Sequence, residues 1–428
     1  MRQAFVRRGG SDTGGTDFVL HAGKNLRTGE QDFIKQFGPM RTIEKDLLLI
    51  ASAIFAVDRG AARQERESLN RHLSLSIPVV NTAKIIPLRR NIEDILRTLS
   101  HDDWRIEFRQ ENAPSEPQIK LLSNPGGTLL FSGGLDSLAA AIKFGREEEP
   151  LQLVSHVTKN QPTRQSQDSL YGQLEKNKYN VRLNRFFVSA TSTDPSAGIS
   201  YTTENSQRTR SFLFATLGTL TAIRRGNRRV LLIAENGQLA VHLPLNPARA
   251  GAFSTHTAHP EVLLKMSSFF TRALEMDINI TNPFQQMTKA EVVKIVWDKM
   301  RAAIKHSSSC WMNAHLAHGS THCGYCIPCI IRRIAIETHG ADPTAYSRDL
   351  FSQDIPQLGP GDDGRRNLYD LVEFNYQIAK LSPVEISDKW PELLTISDST
   401  EIIKMYKRAA IESRNALLSH SKTAALVK

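Results

Sequence analysis

A loop rich in glycine and serine follows a short apolar segment and carries the most informative residue types in the chain. Thr128–Phe131 predicts a buried strand, and the next residues are Ser132, Gly133, Gly134, Leu135, Asp136 and Ser137. Glycines allow successive backbone N–H groups to turn toward one anion, and a helix that begins after them adds its positive end. The two serine hydroxyls can donate further hydrogen bonds. The pattern therefore indicates a phosphate-binding loop.

Asp136 is the one acidic residue of this loop. Its carboxylate would repel a bare phosphate, so we expect Mg²⁺ to bridge it to the phosphate oxygens. No lysine follows the glycines, which excludes the Walker-type loop. The plainer alternative is a strand-to-helix turn in which Asp136 or Ser137 caps the helix. A cap alone requires neither two glycines nor two flanking serines, so phosphate binding is the favoured interpretation.

All four cysteines of the chain lie close together: Cys310, Cys323, Cys326 and Cys329. Three thiolates at intervals of three residues can converge on one tetrahedral ion, and the first cysteine closes the shell from across a loop. Zn²⁺ suits four thiolates, although iron–sulfur clusters use similar spacings. Four thiolates saturate the ion, so we expect a structural metal. Four unrelated buried thiols are the alternative, and the crowding argues against it.

Six histidines lie near these motifs. Three are in the loop between the first and second cysteines: His315, His318 and His322. Because four thiolates already satisfy the ion, we expect these three at the surface or beside the ligands. The sequence assigns no role to the other three, which lie in a stretch rich in proline and alanine: His242, His256 and His259.

The composition is that of a globular protein, with 40% apolar and 23% charged residues and a net charge of +10. A length of 428 residues predicts two or three folded units. The basic balance favours an anionic partner, which nucleotide phosphates or a nucleic acid could supply. The excess charge is spread along the chain, so it does not by itself indicate RNA binding.

No secretory signal or membrane span is evident in the sequence. The N-terminus lacks the basic, apolar and small-residue order of a signal peptide. The longest apolar run, Leu47–Val57, is about half of the ~20 residues that span a bilayer, so it predicts a buried helix. We therefore expect a cytoplasmic protein, in a reducing compartment that favours metal binding over disulfides.

Residues 1–122 predict a small α+β unit. Helical and strand-like apolar spacings alternate in it, with a helix over Thr42–Arg63, a strand over Leu73–Val80, a helix over Asn91–Leu99 and a strand over Trp104–Phe108. The first ~15 residues, where glycines cluster with serine and threonine, are the one stretch for which we expect disorder. Gln110–Gly127, with three prolines and two glycines, predicts a linker.

Residues 123–345 predict the main domain. Its strands are predicted over Thr128–Phe131, Leu151–Thr158, Arg185–Ala190, Val230–Glu235 and Ile278–Asn282, and its helices over Leu138–Lys143 and Arg208–Arg225, the second closed by Gly226. Strands joined by helical crossovers form a Rossmann-like, doubly wound parallel α/β sheet, which binds ligands at the carboxyl ends of its strands. Residues 346–428 predict a helical extension, with helices over Asn367–Lys380 and Thr400–Leu418.

The loop resembles the PP-loop of N-type ATP pyrophosphatases, which holds the β,γ-pyrophosphate of ATP while AMP passes to a substrate oxygen. The loop and the cysteines in this order resemble the QueC family of 7-cyano-7-deazaguanine synthases. The resemblance covers about Thr128–Ala345 and continues through Arg210-Ser-Phe-Leu, Asn282-Pro-Phe, Thr288-Lys-Ala-Glu291 and Cys329-x-x-Arg332. The long form resembles the QatC type of bacterial antiphage defence operons.

The resemblance implies an ATP-dependent ligase with ATP, Mg²⁺ and Zn²⁺ as cofactors. The carboxylate of 7-carboxy-7-deazaguanine would attack ATP and release pyrophosphate. Ammonia would then convert the acyl-adenylate into an amide and, after a second adenylation, into the nitrile. The implied partners are a deazapurine-like small molecule and other proteins of a defence operon, whereas nucleic acid is possible and not favoured.

Family position makes Lys289 and Arg210 candidates to neutralise the phosphates beside Asp136 and Ser137, and it places Arg332 at the border of the same site. Each has a plainer alternative. Lys289 could be a solvated residue in the first turn of a helix, and Arg210 a charge on a helix surface. Both interpretations stay open on the sequence.

Two further positions have competing interpretations. Thr288-x-x-Glu291 is a capping box, so Glu291 is interpreted as structural. Glu235 and Asn236 follow a predicted strand where ligands bind, and they could recognise a purine edge. Their plainer alternative is an ordinary turn at the end of a strand.

The acceptor does not follow from the resemblance. Asn160–Arg164 stands where the synthase carries a segment of the Tyr-Gly-Gln-Arg-His type, so a protein amine could capture the acyl-adenylate in place of ammonia. Two other functions compete. One is a PP-loop tRNA-modifying enzyme, although thiolation generally needs free cysteines or a cluster. The other is a non-catalytic scaffold that senses ATP and binds partners through its extra units.

Overall fold

The computed structural model describes residues 2–7, 18–61, 70–112, 115–119, 127–146, 148–157, 160–191, 204, 207–224, 230–249, 256–312, 316 and 319–427. The strands are β1 (Arg2–Arg7), β2 (Phe18–His21), β3 (Leu26–Arg27), β4 (His72–Val79), β5 (Asp103–Gln110), β6 (Thr128–Leu130), β7 (Leu151–His156), β8 (Val181–Phe186), β9 (Ser189–Ala190), β10 (Val230–Leu232) and β11 (Asn279–Thr281). The helices are α1 (Glu30–Phe37), α2 (Thr42–Gly60), α3 (Thr82–Ile85), α4 (Arg89–Ser100), α5 (Leu135–Phe144), α6 (Gln161–Lys176), α7 (Arg210–Arg224), α8 (Gly237–Val241), α9 (Pro260–Leu274), α10 (Lys289–Met300), α11 (Ile327–Glu337), α12 (Asp363–Lys380), α13 (Pro383–Lys389), α14 (Ser399–Leu418) and α15 (Ser421–Ala424).

The N-terminal part forms an α+β unit around a four-stranded sheet in the order β2-β1-β4-β5, with all neighbours parallel. Helix α2 is almost wholly buried because apolar residues cover nearly its whole circumference. Its predicted end, Arg63, lies outside the described residues, and α4, β4 and β5 lie within two residues of their predicted bounds. The expectation of disorder is wrong for Arg2–Arg7, which pairs with two strands, whereas residues 8–15 lie outside the described residues.

The second sheet carries the glycine-rich loop, and its five parallel strands have the order β11-β10-β6-β7-β8. Adjacent residues face opposite sides: Leu153 of β7 packs in the apolar cluster with α5 and α10, whereas Val154 packs with α7 and α9. The chain runs from β6 outward to β7 and β8 and then returns to β10 and β11 on the other side. The loop after β6 therefore lies at the point where the strand order reverses, where such sheets bind ligands.

One predicted strand is displaced. The sequence predicts a strand over Arg185–Ala190, but β8 begins at Val181 and ends at Phe186. The apolar pattern did not indicate the start of β8, because the strand contains Arg182, Asn184 and Arg185. An edge strand accepts such polar side chains more readily than a central strand. The end of the predicted strand, Ser189–Ala190, forms β9 and pairs antiparallel with β3 of the N-terminal part.

The C-terminal extension is helical, as predicted, and packs against the main domain in two apolar clusters. One cluster includes Val241 and Leu243 at the end of α8, and the other includes Ile330 and Ile331 of α11. The N-terminal part likewise shares one continuous apolar core with α7, α9 and β11. The predicted boundary at residue 122 lies outside the described residues, and the boundary at residue 345 stays a prediction.

No helix in the described ranges combines the length and the apolarity that a membrane crossing requires.

Candidate active site

The loop after β6 turns sharply into α5 at Gly133 and Gly134. Gly133 has a φ of +86°, a conformation that glycine adopts without steric cost. A Cβ atom on Gly133 would lie 3.1 Å from Gln167 N, and one on Gly134 would lie 3.2 Å from Ser308 O. The Ser308 N–H also donates to Gly133 O at 2.9 Å. Space and conformation therefore both require glycine here, because α6 packs on one side of the loop and Ser308 on the other.

Hydroxyl and amide groups surround the mouth of the loop. Ser132 Oγ lies 3.3 Å from Ser137 Oγ and accepts a hydrogen bond from Gly134 N–H at 3.3 Å. The N–H groups in the first turn of α5, which begins at Leu135, have no partner within the helix and point beyond its N-terminus. The Ser132 side chain is exposed. The loop thus presents backbone donors, a helix dipole and a hydroxyl to an anion.

Asp136 lies in this first turn and contacts side chains that follow β10 and β11. Its Oδ2 accepts hydrogen bonds from Lys289 Nζ at 2.6 Å and from Asn236 Nδ2 at 3.3 Å. Asn282 fixes the backbone of Glu235, since its Nδ2 donates to Glu235 O at 2.7 Å and its Oδ1 accepts from Glu235 N–H at 3.2 Å. The structure therefore brings together four candidate site residues that follow the adjacent strands β6, β10 and β11: Asp136, Glu235, Asn236 and Lys289.

Two carboxyl groups in this cluster face one ammonium group. Burial and the neighbouring Asp136 raise the pKa of Glu235 well above its ordinary value, and the Lys289 ammonium offsets only part of that rise. Asp136 Oδ1 is buried and has no hydrogen-bond partner among the described residues. A divalent cation would satisfy this oxygen and balance the excess negative charge. The donor set, carboxylate oxygens beside a phosphate-binding loop, fits Mg²⁺.

Lys289 is the first residue of α10, and its position is fixed by its neighbours. It is 3% exposed, which excludes the solvated first-turn lysine. Its N–H donates to Gln238 Oε1 at 2.9 Å. The predicted capping box is present, because Thr288 Oγ1 accepts from Glu291 N–H at 3.1 Å and the Glu291 carboxylate accepts from Thr288 N–H at 2.8 Å. The cap therefore fixes the start of α10 and holds the lysine in the acidic cluster.

Helix α14 of the extension braces the same start of α10. Thr288 Oγ1 donates to Glu412 Oε1 at 2.9 Å, and Arg408 Nε donates to Glu291 Oε1 at 2.8 Å. Burial raises the pKa of Glu412 to about 7. Sequence reasoning missed both residues, since 124 positions separate Thr288 from Glu412 and no local pattern connects them.

Arg210 begins α7 on the β7 side of the loop. His156 lies at the end of β7, and burial lowers its pKa. The positive charge of Arg210 also lowers this pKa, so the Arg210 guanidinium lies near the end of β7. The preceding Thr209 is anchored by Asp58 of the N-terminal part, whose Oδ2 accepts from its N–H at 2.8 Å and its hydroxyl at 2.9 Å. Within the described part of the chain Arg210 makes no hydrogen bond or ion pair with the loop, so its role toward phosphate stays a prediction.

The four cysteines meet in one buried cluster that can hold a metal. Their Sγ atoms all lie within 4.8 Å of one another, and those of Cys323 and Cys329 are 3.8 Å apart. That spacing fits the edge of a tetrahedron with Zn–S bonds of ~2.3 Å. The N–H groups of Met312 and Cys323 each donate to Cys310 Sγ at 3.3 Å, which stabilises a thiolate. Four sulfur donors at these distances fit a saturated, structural Zn²⁺ site.

His322 lies beside this cluster with both ring nitrogens engaged elsewhere. Ser309 N–H donates to its Nε2 at 3.2 Å, and its Nδ1 lies 2.9 Å from Thr321 Oγ1. Burial and a nearby arginine lower the pKa of His322 to about 2, so the ring is neutral. It therefore supports the loop without replacing a cysteine. His315 and His318 lie outside the described residues.

Arg332 of α11 is fully buried and binds the segment that contacts the glycine-rich loop. Its Nη1 donates to Ser307 Oγ at 2.9 Å and to Ser309 Oγ at 3.0 Å, and its Nη2 donates to Ile304 O at 2.8 Å. Two of these partners flank Ser308. Arg332 thus reaches the border of the site through Ser308, and a direct contact with substrate stays a prediction.

The doubly wound sheet, the glycine-rich loop and the acidic cluster around a lysine define an ATP-using enzyme of the PP-loop type. The chain belongs to the QueC family: the family profile described as queuosine biosynthesis protein QueC matches residues 127–340, half of the 428 residues. The family supports deazaguanine-type chemistry for the chain. A search of curated proteins gave no match. The residues on either side of 127–340 lie outside the family match.

Proposed function

We propose that the protein adenylates the carboxylate of 7-carboxy-7-deazaguanine, or of a closely similar acid, with ATP. The observation that carries the proposal is the buried pair of Asp136 and Lys289 at the mouth of the loop, 2.6 Å apart. A carboxylate oxygen of the acid attacks the α-phosphorus, and the bond from that phosphorus to the bridging oxygen breaks. Pyrophosphate departs with the electron pair, and the acid becomes an acyl-adenylate whose AMP can leave.

The residues of the cluster divide these tasks. The loop N–H groups, with Ser132 and Ser137, hold the two outer phosphates, and Lys289 neutralises charge that develops on the departing pyrophosphate. Asp136 and Glu235 would hold Mg²⁺, which supplies further neutralisation of the phosphates when bound. The roles of Asp136 and Lys289 are supported by their 2.6 Å contact and by the orphaned Asp136 Oδ1. The role of Ser137 rests on the family resemblance, since its buried hydroxyl donates to Gly134 O at 3.0 Å.

The acyl-adenylate then passes to an amine, whose nitrogen attacks the acyl carbon and releases AMP. Ammonia would give an amide. A second ATP would then adenylate the amide oxygen with release of pyrophosphate, and loss of that oxygen as AMP, together with the remaining proton on nitrogen, would give the nitrile. We favour a protein amine, in a complex with partners from an antiphage defence operon in the cytoplasm. The ground for this choice is that Asn160–Arg164 departs from the family segment; Asn160 itself caps α6, where its Oδ1 accepts from Thr163 N–H at 3.1 Å.

Pyrophosphate release with ATP, Mg²⁺ and 7-carboxy-7-deazaguanine tests the adenylation step. Asp136→Asn should reduce the rate by about 10²-fold or more, because it removes the charge that pairs with the cation and with Lys289. Asp298→Asn is the matched control, since Asp298 is exposed, pairs with Lys294 and lies toward the far end of α10. Equal rates in wild type and Asp136→Asn would contradict the proposal.

Other outcomes would identify the rival functions. ATP binding without pyrophosphate release for any deazaguanine acid would favour the scaffold. Tight, salt-dependent tRNA binding would favour the tRNA-modifying enzyme. Mass spectrometry of co-expressed partner proteins tests the amine acceptor, and partners without added deazaguanine mass would reject it.

A further inference from the structure

A cleft of about 290 Å³ lies beside α8, between the main domain and both extensions. Its wall includes His101 after α4, His242 after α8, Trp311 after the first cysteine, and Tyr406 of α14. His101 and Tyr406 lie outside residues 127–340, the range of the family match. The extensions therefore complete a cleft whose other lining residues lie within the family match, and its volume suits a small molecule.

Two aromatic rings face this cleft in nearly parallel planes. The rings of His242 and Trp311 are inclined by only 10°, and their centroids are 6.4 Å apart. Optimal contact between carbon atoms is ~3.5 Å, so the two rings are too close for a third ring to lie between them, whereas a flat ring that lies across the pair can contact both. Trp311 is 48% exposed, which leaves much of its indole accessible. His242 adopts a left-handed φ of +54°, a conformation that fixes its position at the end of α8.

Three histidines form a polar end of the cleft. The rings of His101 and His256 meet edge to face at 5.7 Å, and those of His256 and His259 meet at 5.2 Å. The Nδ1 atoms of His256 and His259 are buried and have no hydrogen-bond partner among the described residues. His259 is only 5% exposed. A buried polar atom without a partner is costly, so a ligand that hydrogen-bonds these nitrogens is favoured.

His242, His256 and His259 are neutral at physiological pH. Burial lowers the pKa of His256 to about 3, with help from the other histidines, and burial also lowers the pKa of His242 and of His259. A neutral imidazole carries one N–H donor and one acceptor. The cleft therefore offers both donors and acceptors and selects for a ligand edge that carries both.

The cleft lies within the reach of a small substrate from the loop. Ser308, which contacts Gly133, is three residues before Trp311, and an extended chain spans at most ~3.6 Å per residue. Asn236, which contacts Asp136, is joined to His242 by the one short helix α8, which rises ~1.5 Å per residue. The backbones of His242 and Trp311 are thus within about 11 Å of the backbones of Asn236 and Ser308, which contact the loop.

We propose that this cleft binds the heteroaromatic ring of the acid substrate: a flat fused system, stacked on His242 and Trp311, with its donor and acceptor edge toward His256 and His259. The substituent carboxylate then points along α8 toward the phosphates. This ring site would supply the substrate-binding surface for the proposed adenylation. It rests on that proposal, because a ring held this close to the loop would bring its carboxylate to the bound ATP.

Direct binding of 7-carboxy-7-deazaguanine to the zinc-loaded full chain, measured by calorimetry without ATP, tests the ring site. Trp311→Leu should weaken binding by about 5- to 100-fold, the usual range for loss of one aromatic platform under a base. Trp311→Phe and His242→Asn should have smaller effects. Tyr376→Leu, at an exposed aromatic residue outside the cleft, is the matched control and should bind as wild type does.

The affinity of each variant for a non-hydrolysable ATP analogue separates the possible results. Unchanged analogue affinity with weakened acid binding supports the proposal. A loss of analogue affinity in Trp311→Leu would overturn it, since the cleft would then hold the adenine ring. Acid affinity equal to that of wild type would also overturn it. If the wild type bound the acid in a Trp311-dependent way and released no pyrophosphate, the ring site would stand and the adenylation would be rejected.

Discussion

Asp136 and Glu235 place two carboxyl groups beside the single ammonium of Lys289 in a largely enclosed position. The raised pKa of Glu235 means that the protein without a cation keeps a proton on this carboxyl over part of the acidic range. Binding of a nucleotide with its cation would favour release of that proton. The cluster is therefore suited to a ligand that carries both negative phosphates and a metal.

Glu235→Gln should change the dependence of stability on pH. Because the folded pKa of Glu235 lies above its ordinary value of 4.5, its ionisation destabilises the folded protein at neutral pH and not at low pH. The variant removes this penalty, so its melting temperature relative to wild type should increase by a few degrees as the pH rises above the ordinary pKa of 4.5. Thermal melts without nucleotide or Mg²⁺ test this, with exposed Glu373→Gln as the control. A difference that does not change with pH would contradict it.

At the residue scale, the parts of the site that depend on local spacing could be predicted. Two glycines with two serines identified the loop, and the cysteine spacing identified the metal site. Glu235 and Asn236 were candidates only because they follow a strand. Glu412 could not be found, because its partner Thr288 lies 124 residues away and only the packing of α14 brings them together.

The segment that carries the cysteines positions more than a metal. Ser308 contacts the glycine-rich loop, Cys310 belongs to the cysteine cluster, and Trp311 faces the cleft beside α8. Arg332 then ties the residues around Ser308 to α11. A metal held by the cysteines would therefore anchor one element that borders both the glycine-rich loop and the proposed ring site.

Removal of the metal should weaken both sites. We expect one Zn²⁺ ion per chain, and chelation should lower the melting temperature by roughly 10 °C or more, because metal binding free energy is folding free energy for such loops. Acid binding should weaken with it, since Trp311 loses its anchor. Elemental analysis and thermal melts before and after chelation measure this, and added Zn²⁺ should restore both. Iron in place of zinc, or a metal-free protein with an unchanged melting temperature, would contradict the expectation.

Elements with clear apolar patterns were predicted within a few residues, and those with polar faces were not. The buried strands β6 and β7 were evident because both of their faces are covered. Edge strand β8 was displaced by its polar residues, and no helix was predicted over Gln161–Lys176, whose surface is mostly polar. The parallel pairing of β1 with β2 and β4 depends on long-range contacts that no local pattern reveals.

Both extensions take part in the site of the main domain. Asp58 of the N-terminal part anchors the residue before Arg210, and it also pairs with Arg71, which in turn pairs with Asp102. On the other side, Tyr406 of α14 donates its hydroxyl hydrogen to Gln238 O at 3.1 Å and accepts from Leu243 N–H at 3.2 Å. The main domain therefore depends on the N-terminal part for the placement of α7 and on the C-terminal extension for the placement of α8 and α10.

Tyr406→Phe should measure this dependence. The change leaves the Leu243 N–H without this partner and removes one of two hydrogen bonds that Gln238 O accepts, the other coming from His242 N–H at 3.1 Å. It should cost about 1–3 kcal/mol of unfolding free energy. Urea unfolding of the full chain measures this free energy. Binding of 7-carboxy-7-deazaguanine should also weaken, because α8 loses its hydrogen bond to Tyr406. Tyr376→Phe is the control, because that hydroxyl is exposed and should change stability by only about 0.5 kcal/mol. Equal stability of the two variants would show that α14 does not support the site.

The brace from α14 also has a consequence for biosynthesis. The loop, the acids, the lysine and the cysteines all leave the ribosome before Tyr406 and Glu412 do, because those two residues follow them in the chain. Until α14 emerges, the caps of α8 and α10 have only part of their hydrogen-bond partners. A truncated product would thus carry the loop, the acids, the lysine and the cysteines without the hydrogen bonds from α14 that hold α8 and the start of α10 in place.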